Sequence, residues 1–236
     1  MKLTKVCKCI MLLLAATALS ACMTPTETAL RETAQNECTD LSNPSCTFQG
    51  TPIALSDQPV RRIRTSDFFA TLQTVSFTDT KGLTWSAPIR TLTDGASIPA
   101  LFHPLVGNPT DPEFLNAAVM HDAYCGIGNE SGLAFRARSW EETHRMFYDA
   151  LIASGVGPIK AKTMFAAVYL AGPRWNDAAR DMSEVSAQRL YREMEWCIFW
   201  ITRANPSRDE IITWMRKREA VLKSADHTPP NWDNLL

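Results

Sequence analysis

The sequence has almost no net charge, because its 24 lysine and arginine residues are matched by 25 aspartate and glutamate residues. A protein that binds nucleic acid through its phosphates carries an excess of basic residues on one face or along one helix. The balance of charges here indicates no such field, so we expect no nucleic-acid partner.

The sequence also lacks an apolar run that could cross a bilayer as a helix, which takes about 20 residues. The run "IMLLLAATAL" has ten residues and "CIFWI", near the C-terminus, has five. Internal repeats and low-complexity segments are missing too. What is present is ordinary globular composition, 45% hydrophobic with seven tryptophans, which is enough for one hydrophobic core.

The N-terminus has the pattern of a bacterial lipoprotein leader. "MKLTKVCKC" carries three lysines and no acid, and the ten-residue apolar run follows it. The next residues, "LSAC", resemble the lipobox, whose cysteine receives the lipid. The pattern predicts a signal peptide at residues 1–21 and lipidation of Cys22, with palmitate among the chains. An ordinary signal peptide, cleaved after a small residue, is the alternative.

A lipid on Cys22 would place the protein in the bacterial cell envelope. Residue 23 is methionine and not aspartate, which by similarity to sorting in enterobacteria favours the outer membrane, facing the periplasm. Loss of residues 1–21 would leave 21 basic against 25 acidic residues, a net charge of −4. The expected partners are the membrane, through Cys22, and a cell-wall component or envelope protein.

Four cysteines remain after the predicted leader and the lipidated Cys22, an even number in an oxidising compartment. Cys38 and Cys46 close the turn-rich loop "CTDLSNPSC", so we expect a disulfide there. Cys125 and Cys197 are the second candidate pair, with two buried thiols as the alternative.

The rest of the chain divides into a tether at residues 22–50 and a single domain at residues 51–236. The tether is rich in Thr, Ser, Asn and Pro. Strand patterns occupy residues 52–93, and Pro88 is expected to end a strand or to place it at an edge. Helical patterns begin at residue 111. The predicted fold class is α+β, a small antiparallel β-sheet followed by a helical bundle with a C-terminal helical extension.

Periodicity and capping residues predict five helical segments in the second half of the chain. Asp111 and Pro112 begin the first, and Ser139 with Glu142 has the spacing of a capping box. The segments are residues 111–126, 139–155, 157–172, 177–204 and 207–223.

Two histidines lie on the apolar faces of consecutive predicted helices. His121 shares a face with Phe114, and His144 shares one with Phe147. These two inward faces meet if the helices pair antiparallel. Neutral imidazoles are good zinc ligands, and three protein ligands with one water form the catalytic arrangement.

The segment "TDGASIP" offers a third ligand, Asp94, where the strands end. Asp122 next to His121 could orient a ligand or act as a general base, and Ser97 and Tyr124 would line the pocket. The predicted site therefore has zinc ligands Asp94, His121 and His144, and catalytic residues Ser97, Asp122 and Tyr124.

A structural explanation of the same residues stays open. A histidine on an apolar face is usually a satisfied core residue, and an aspartate before glycine is common in turns. Under this alternative Asp94, Ser97, His121 and Asp122 form a hydrogen-bonded network without turnover.

Four motifs in order, "TDGASIPALF", "AAVMHDAYC", "EETHRMFYDALIASGV" and "FAAVYLAGPRW", resemble domain-of-unknown-function family number 1353, found in phages and bacteria. The resemblance covers roughly residues 60–176. His144 stands where the family usually has aspartate. The family carries no established reaction, so the resemblance implies a shared site and no substrate.

Two other His-Asp families resemble the chain less. "HDAYC" is similar to the helical motif of secreted phospholipases A2, but the cysteines and the calcium loop expected before the histidine are missing. Phosphohydrolases of the HD type place their ligands in a different order.

Two functional hypotheses follow. The first is an envelope-anchored, metal-dependent hydrolase that acts on a cell-wall or other periplasmic substrate. The second is a non-catalytic envelope lipoprotein for binding, superinfection exclusion or immunity, in which the polar network is structural and the C-terminal helices offer the partner surface.

Overall fold

The computed structural model describes residue 38 and residues 46–63, 65–95, 98–106 and 112–234. The predicted leader, the lipidation site at Cys22, most of the predicted tether, Ser97 and Asp111 lie outside the described residues.

In the described residues, six short strands form two antiparallel sheets of three strands each, in the orders β1-β4-β5 and β2-β3-β6. The prediction of a small antiparallel sheet is confirmed, except that the strands form two sheets and not one. The strands are β1 (Thr47–Gln49), β2 (Arg61–Ile63), β3 (Ser66–Ala70), β4 (Val75–Thr78), β5 (Thr84–Ala87) and β6 (Leu92–Thr93).

Strands β4 and β5 follow the alternation expected of a sheet with one buried face. Val75 and Phe77 of β4 and Trp85 and Ala87 of β5 are buried, and the residues between them are partly exposed. β5 ends at Ala87, directly before Pro88, as the sequence predicted. The chain then turns and reaches the second sheet at β6.

The predicted tether ends earlier than residue 50, because β1 lies inside it. Thr47–Gln49 pairs with β4, and the ring of Phe48 packs on that of Phe77 with centroids 4.6 Å apart. A single apolar residue among polar ones was too weak a pattern to predict a strand.

The local disulfide prediction is confirmed, since Cys38 and Cys46 are bonded. The Cys125–Cys197 pair was wrong, because both residues are free thiols. Cys125 ends one helix beside His121, whereas Cys197 is buried in the middle of a helix near the C-terminus. The alternative of two buried thiols holds for Cys197, and Cys125 is partly buried.

Six α-helices follow the strands, and five of them fall on the predicted segments. The helices are α1 (His103–Val106), α2 (Leu115–Cys125), α3 (Trp140–Ala153), α4 (Pro158–Ala171), α5 (Ala187–Ala204) and α6 (Arg208–Lys223). The Ser139–Glu142 capping box is present at the start of α3, and Pro158 occupies the first turn of α4. A 3₁₀ turn, Pro112–Phe114, precedes α2.

The predicted helix at residues 177–204 begins ten residues late. Its first part contains a short 3₁₀ turn, Ala178–Arg180, and α5 starts only after Ser186, whose side chain accepts a hydrogen bond from the backbone N–H of Arg189. A serine that satisfies a free amide favours a helix start at that point over continuation from upstream.

Helices α2, α3 and α4 pack in sequence order, and α2 also packs against β5 and β6. The interior of this assembly is aromatic, with fully buried Phe114, Phe147, Tyr148, Phe165 and Tyr169. Of the helices in the described ranges, none combines the length and the apolar character that crossing a membrane requires.

Candidate metal centre

The two predicted histidines meet inside the protein. His121 lies on α2 and His144 on α3, both are 0% exposed, and Nε2 of His121 is 3.0 Å from Nδ1 of His144. One of these nitrogens donates a proton and the other accepts it. The prediction that the inward-facing histidines of two consecutive helices lie next to each other is confirmed by this distance.

The third group of the cluster is Cys125 and not Asp94. The Cys125 Sγ is 3.3 Å from Nε2 and 3.6 Å from Nδ1 of His121. Together His121, Cys125 and His144 offer three ligand atoms that all lie within 4.8 Å of one another. The spacing in the sequence indicated Cys125 as a candidate, because it lies four residues after His121 and residues four apart on a helix share a face.

Asp94 lies in another environment, so its assignment to the histidine pair was wrong. Its carboxyl group interacts with Ser66 at the start of β3 and with His103, and burial raises its pKa. Asp94 ends the second sheet, whereas His121 and His144 lie between α2 and α3. The order of these residues along the chain does not determine the direction in which the turn after β6 points.

Tyr124 supports the sheet and does not join the hydrogen bonds of the histidines. Its hydroxyl accepts a hydrogen bond from the backbone N–H of Ser86 at 3.2 Å, and its ring meets that of Trp85 edge-on. Tyr124 therefore fixes α2 against β5. Ser97, predicted as its neighbour in a pocket, is outside the described residues.

Asp122 is 2% exposed and lies beside the cluster. Its negative charge acts on the thiol of Cys125, and together with burial it raises the pKa of that thiol well above the usual value. Asp122 is not one of the three mutually close ligand groups. Its position is that of a neighbour that tunes or orients a ligand.

Burial also determines the protonation state of the histidines. Removal from water lowers the pKa of His121 to about 3, and burial lowers the pKa of His144 well below its usual value, with the charges of His121 and Arg174 acting in the same direction. Both imidazoles are therefore neutral at neutral pH. Neutral imidazole is the form that binds a metal.

Aromatic rings surround His144 on several sides. Trp140 and Trp175 lie with ring centroids 5.6 and 6.2 Å from that of His144, and Phe147 packs on His121 at 4.9 Å. Both tryptophans also line a surface cleft of about 540 Å³. The two indoles that contact His144 thus also border that cleft, and the histidines are shielded from water.

Backbone positions that admit no side chain complete the enclosure. A Cβ at Gly172, which ends α4, would lie 3.1 Å from Nε2 of His144, and one at Gly126, which ends α2, would lie 2.7 Å from Cα of Asp122. Glycine at both positions lets the chain approach the cluster closely. Asn129 then joins the two layers, because its amide donates to the carbonyls of Leu92 and Asp122.

The distances within the cluster are close to those of a tetrahedral zinc site. Zinc–nitrogen bonds of about 2.0 Å and zinc–sulfur bonds of about 2.3 Å place ligand atoms roughly 3.3 to 3.6 Å apart. The observed separations of 3.0 Å between nitrogens and 3.3 Å between sulfur and nitrogen are slightly shorter. The third separation, between the thiol of Cys125 and the imidazole of His144, is within 4.8 Å. The arrangement fits a metal ion with affinity for sulfur and imidazole nitrogen.

Residues 69–168 match the sequence profile of a family described as "Protein of unknown function (DUF1353)". The uncharacterized protein y4iH of Sinorhizobium fredii is 46% identical over 99 residues, which is 42% of this chain and 38% of the relative. The uncharacterized protein y4jT of the same organism is 37% identical over 113 residues, which is 48% of this chain and 31% of the relative. The chain thus spans about a third of the length of these relatives.

No solved structure matches the chain. The matched segment runs from β3 to α4 and contains His121, Cys125 and His144 but neither Cys22 nor helices α5 and α6. The resemblance seen in the sequence motifs is confirmed, because residues 69–168 of this chain, which carry the candidate metal centre, match the DUF1353 family.

Proposed function

We propose that the protein is an envelope-anchored lipoprotein whose folded domain binds a zinc-like divalent ion through His121, Cys125 and His144. One observation supports the metal above all: three ligand groups of the right chemistry lie within 4.8 Å of one another in the interior. A buried cluster of this kind is rare without a role, because two imidazoles and a thiol are costly to enclose unless they bind one another or an ion.

The enclosure favours a closed centre over an open catalytic one. Both histidines are 0% exposed, and the tryptophan rings that contact His144 also line a surface cleft. A catalytic zinc keeps one position for water and substrate, whereas a structural zinc is closed. The function supported best is therefore that of a non-catalytic envelope binding module. In this module a bound metal ion stabilises the fold.

Purified wild-type protein is expected to contain or take up one zinc or cobalt ion per chain. Cobalt bound to a thiolate absorbs in the near ultraviolet by charge transfer from sulfur, so the spectrum reports whether Cys125 is a ligand. The variant Cys125→Ser should lose this band and bind cobalt about 10- to 100-fold more weakly. The measurements are elemental analysis and a cobalt titration followed by absorbance.

The matched control is Cys197→Ser, because Cys197 is the other free thiol among the described residues and lies outside the cluster. It should leave stoichiometry and spectrum unchanged. Wild-type protein that takes up neither ion, while remaining folded by circular dichroism, would rule out the metal centre and leave a hydrogen-bonded His–His–Cys network.

Hydrolysis is the second candidate, and the observation in its favour is Asp122. Its carboxylate lies close enough to Cys125 to affect the pKa of the thiol, a position from which it could accept a proton from a metal-bound water. If this hypothesis is right, zinc-loaded protein cleaves an amide or peptide bond of cell-wall fragments. Asp122→Asn should then abolish turnover while retaining zinc, and equal rates in both proteins would exclude the proposed role.

Envelope anchoring rests on the leader pattern and on Cys22. Cells that express the full chain with radioactive palmitate should yield labelled protein in the outer-membrane fraction, and Cys22→Ser should remove the label. Cys9→Ser, which changes a cysteine within the leader, is the matched control and should keep it. Label that persists in Cys22→Ser would overturn the anchoring proposal.

A further inference from the structure

Three exposed aliphatic side chains lie on two loops that border the same cleft. Leu133 is 98% exposed, Ile89 is 55% exposed and Ile127 is 50% exposed. A leucine with almost its whole side chain in water has no role in the packing of its own chain. Several such residues on one surface mark a site that contacts a partner or a membrane.

These three residues lie on two loops that face each other. Ile89 follows β5, while Ile127 and Leu133 belong to the loop between α2 and α3. Both loops line a single cleft of about 130 Å³. The side chain of Asn129 bonds the backbone of Leu92 through both its amide and its carbonyl group, which fixes the second loop to the sheet. The loop between α2 and α3, which carries Ile127 and Leu133, is therefore held against the sheet by hydrogen bonds.

Three arginines lie on or near these two loops: Arg90 lines the cleft, Arg61 lies close to Gly128, and Arg136 follows the second loop with its guanidinium over the ring of Phe135. Arg61, Arg90 and Arg136 are all exposed, and Arg61 and Arg136 both act electrostatically on Glu130 in the same loop. Arg90 and Arg136 have positive φ angles of 73° and 54°, a conformation that is unfavourable for arginine. Among these four residues the three arginines outnumber the one acid, Glu130, so their summed charge is positive although the whole chain has a net charge of −1.

The N-terminal part of the chain reaches the domain on the same side. The backbone N–H of Leu72 donates to the carbonyl of Ala54. The carbonyl of the preceding residue, Thr71, accepts a hydrogen bond from the backbone N–H of Arg90. Residues that precede Ala54 therefore approach the domain next to the turn that carries Ile89 and Arg90.

We propose that Ile89, Ile127 and Leu133, with Arg61, Arg90 and Arg136 on or near the same loops, form a docking surface for an anionic bilayer, here called the membrane-facing surface. The aliphatic side chains enter the boundary between headgroups and acyl chains, and the guanidinium groups bind lipid phosphates. Arginine suits phosphate because its planar fork offers paired donors. The docking rests on this charge and shape, and a lipid on Cys22 would add to it but is not required.

The test is hydrogen–deuterium exchange of the purified full-length protein, as cells produce it, with and without vesicles. Phosphatidylglycerol vesicles should slow amide exchange in residues 127–135 several-fold, and phosphatidylcholine vesicles should do so much less. A lipid anchor would bring the protein to both kinds of vesicle alike. The difference between the two therefore reports the membrane-facing surface and not the anchor, which keeps this test separate from the anchoring proposal.

Substitutions then identify the groups that act. Ile127→Ser with Leu133→Ser should weaken binding to the anionic vesicles about tenfold, since buried aliphatic groups contribute to interfacial affinity. Arg90→Glu should weaken it at least fivefold, because each arginine near an anionic surface contributes about that factor. The matched control is Ile159→Ser, which changes an exposed isoleucine on α4 beside Lys160 and should have no effect.

Two results would overturn the proposal. One is equal exchange of residues 127–135 with anionic, neutral and no vesicles. The other is loss of binding in Ile159→Ser to the same degree as in the double serine variant, which would show a general effect of surface hydrophobicity. Protection that appears only with an added envelope protein, and not with vesicles, would likewise contradict a lipid partner.

Discussion

Zinc is expected to raise the free energy of unfolding of the wild-type protein by about 4 kcal/mol when the free ion is at a thousand times its dissociation constant. The reason is that His121, Cys125 and His144 are brought together only by the contact between α2 and α3, so the unfolded chain offers no comparable site. Urea unfolding in the presence of zinc, compared with unfolding in the presence of a chelator, measures this increment.

Cys125→Ser should lose about 1.4 to 2.8 kcal/mol of the increment, because metal binding that is 10- to 100-fold weaker removes about 1.4 kcal/mol per factor of ten. Cys197→Ser should retain the full increment. Unfolding in chelator gives the metal-free stability of each variant. The difference between the stability in zinc and the stability in chelator therefore isolates the contribution of the ion. Equal stability of wild-type protein with and without zinc would contradict the coupling of metal binding to folding.

The variant Arg208→Met is expected to destabilise the protein by about 3 to 5 kcal/mol at neutral pH. Arg208 begins α6, and its Nη1 lies 2.6 Å from Oδ1 of Asp149 on α3, with both side chains only 3% exposed. The other carboxylate oxygen accepts a hydrogen bond from the hydroxyl of Thr80 at 2.9 Å. Loss of the guanidinium leaves a buried negative charge without its cation.

The cost of Arg208→Met should depend on pH in a defined direction. Burial raises the pKa of Asp149 to about 6, above the value of 3.8 for an unperturbed aspartate. A raised folded-state pKa contributes stability that is fully present below about pH 4 and is lost as pH rises through about 6. At low pH the carboxyl group is protonated in both proteins, so the missing cation matters less. The cost should therefore be smaller at pH 4.5 than at pH 7.5 by up to about 2 kcal/mol.

Arg145→Met is the control for this prediction. Arg145 pairs with Asp209 at 2.9 Å in the same region, but the two side chains are 25% and 54% exposed. An exposed ion pair contributes less than about 1 kcal/mol, so this variant should be nearly as stable as wild type at every pH. A cost of Arg208→Met that is the same at pH 4.5 and pH 7.5 would show that Asp149 does not titrate in this range.

Local features of the fold could be predicted because local residues determine them. The capping box at Ser139 and the proline at the start of α4 satisfy or avoid free amides within one turn, so neighbouring residues suffice. The disulfide between Cys38 and Cys46 closes a short loop in the same way. Ser186 shows the limit, because the helical pattern upstream of it looked continuous and a cap ended that continuity.

The sequence by itself determined that His121 and His144 face the interior, because helical periodicity places each beside apolar residues three, four or seven positions away. It also determined the candidate leader and the family motifs. Only the tertiary structure decided which third group joins the pair. Cys125 is four residues from His121 on the same helix, whereas Asp94 belongs to a turn whose direction is set by contacts between β3, β6 and α2. Such contacts join residues far apart in the chain, and no local pattern encodes them.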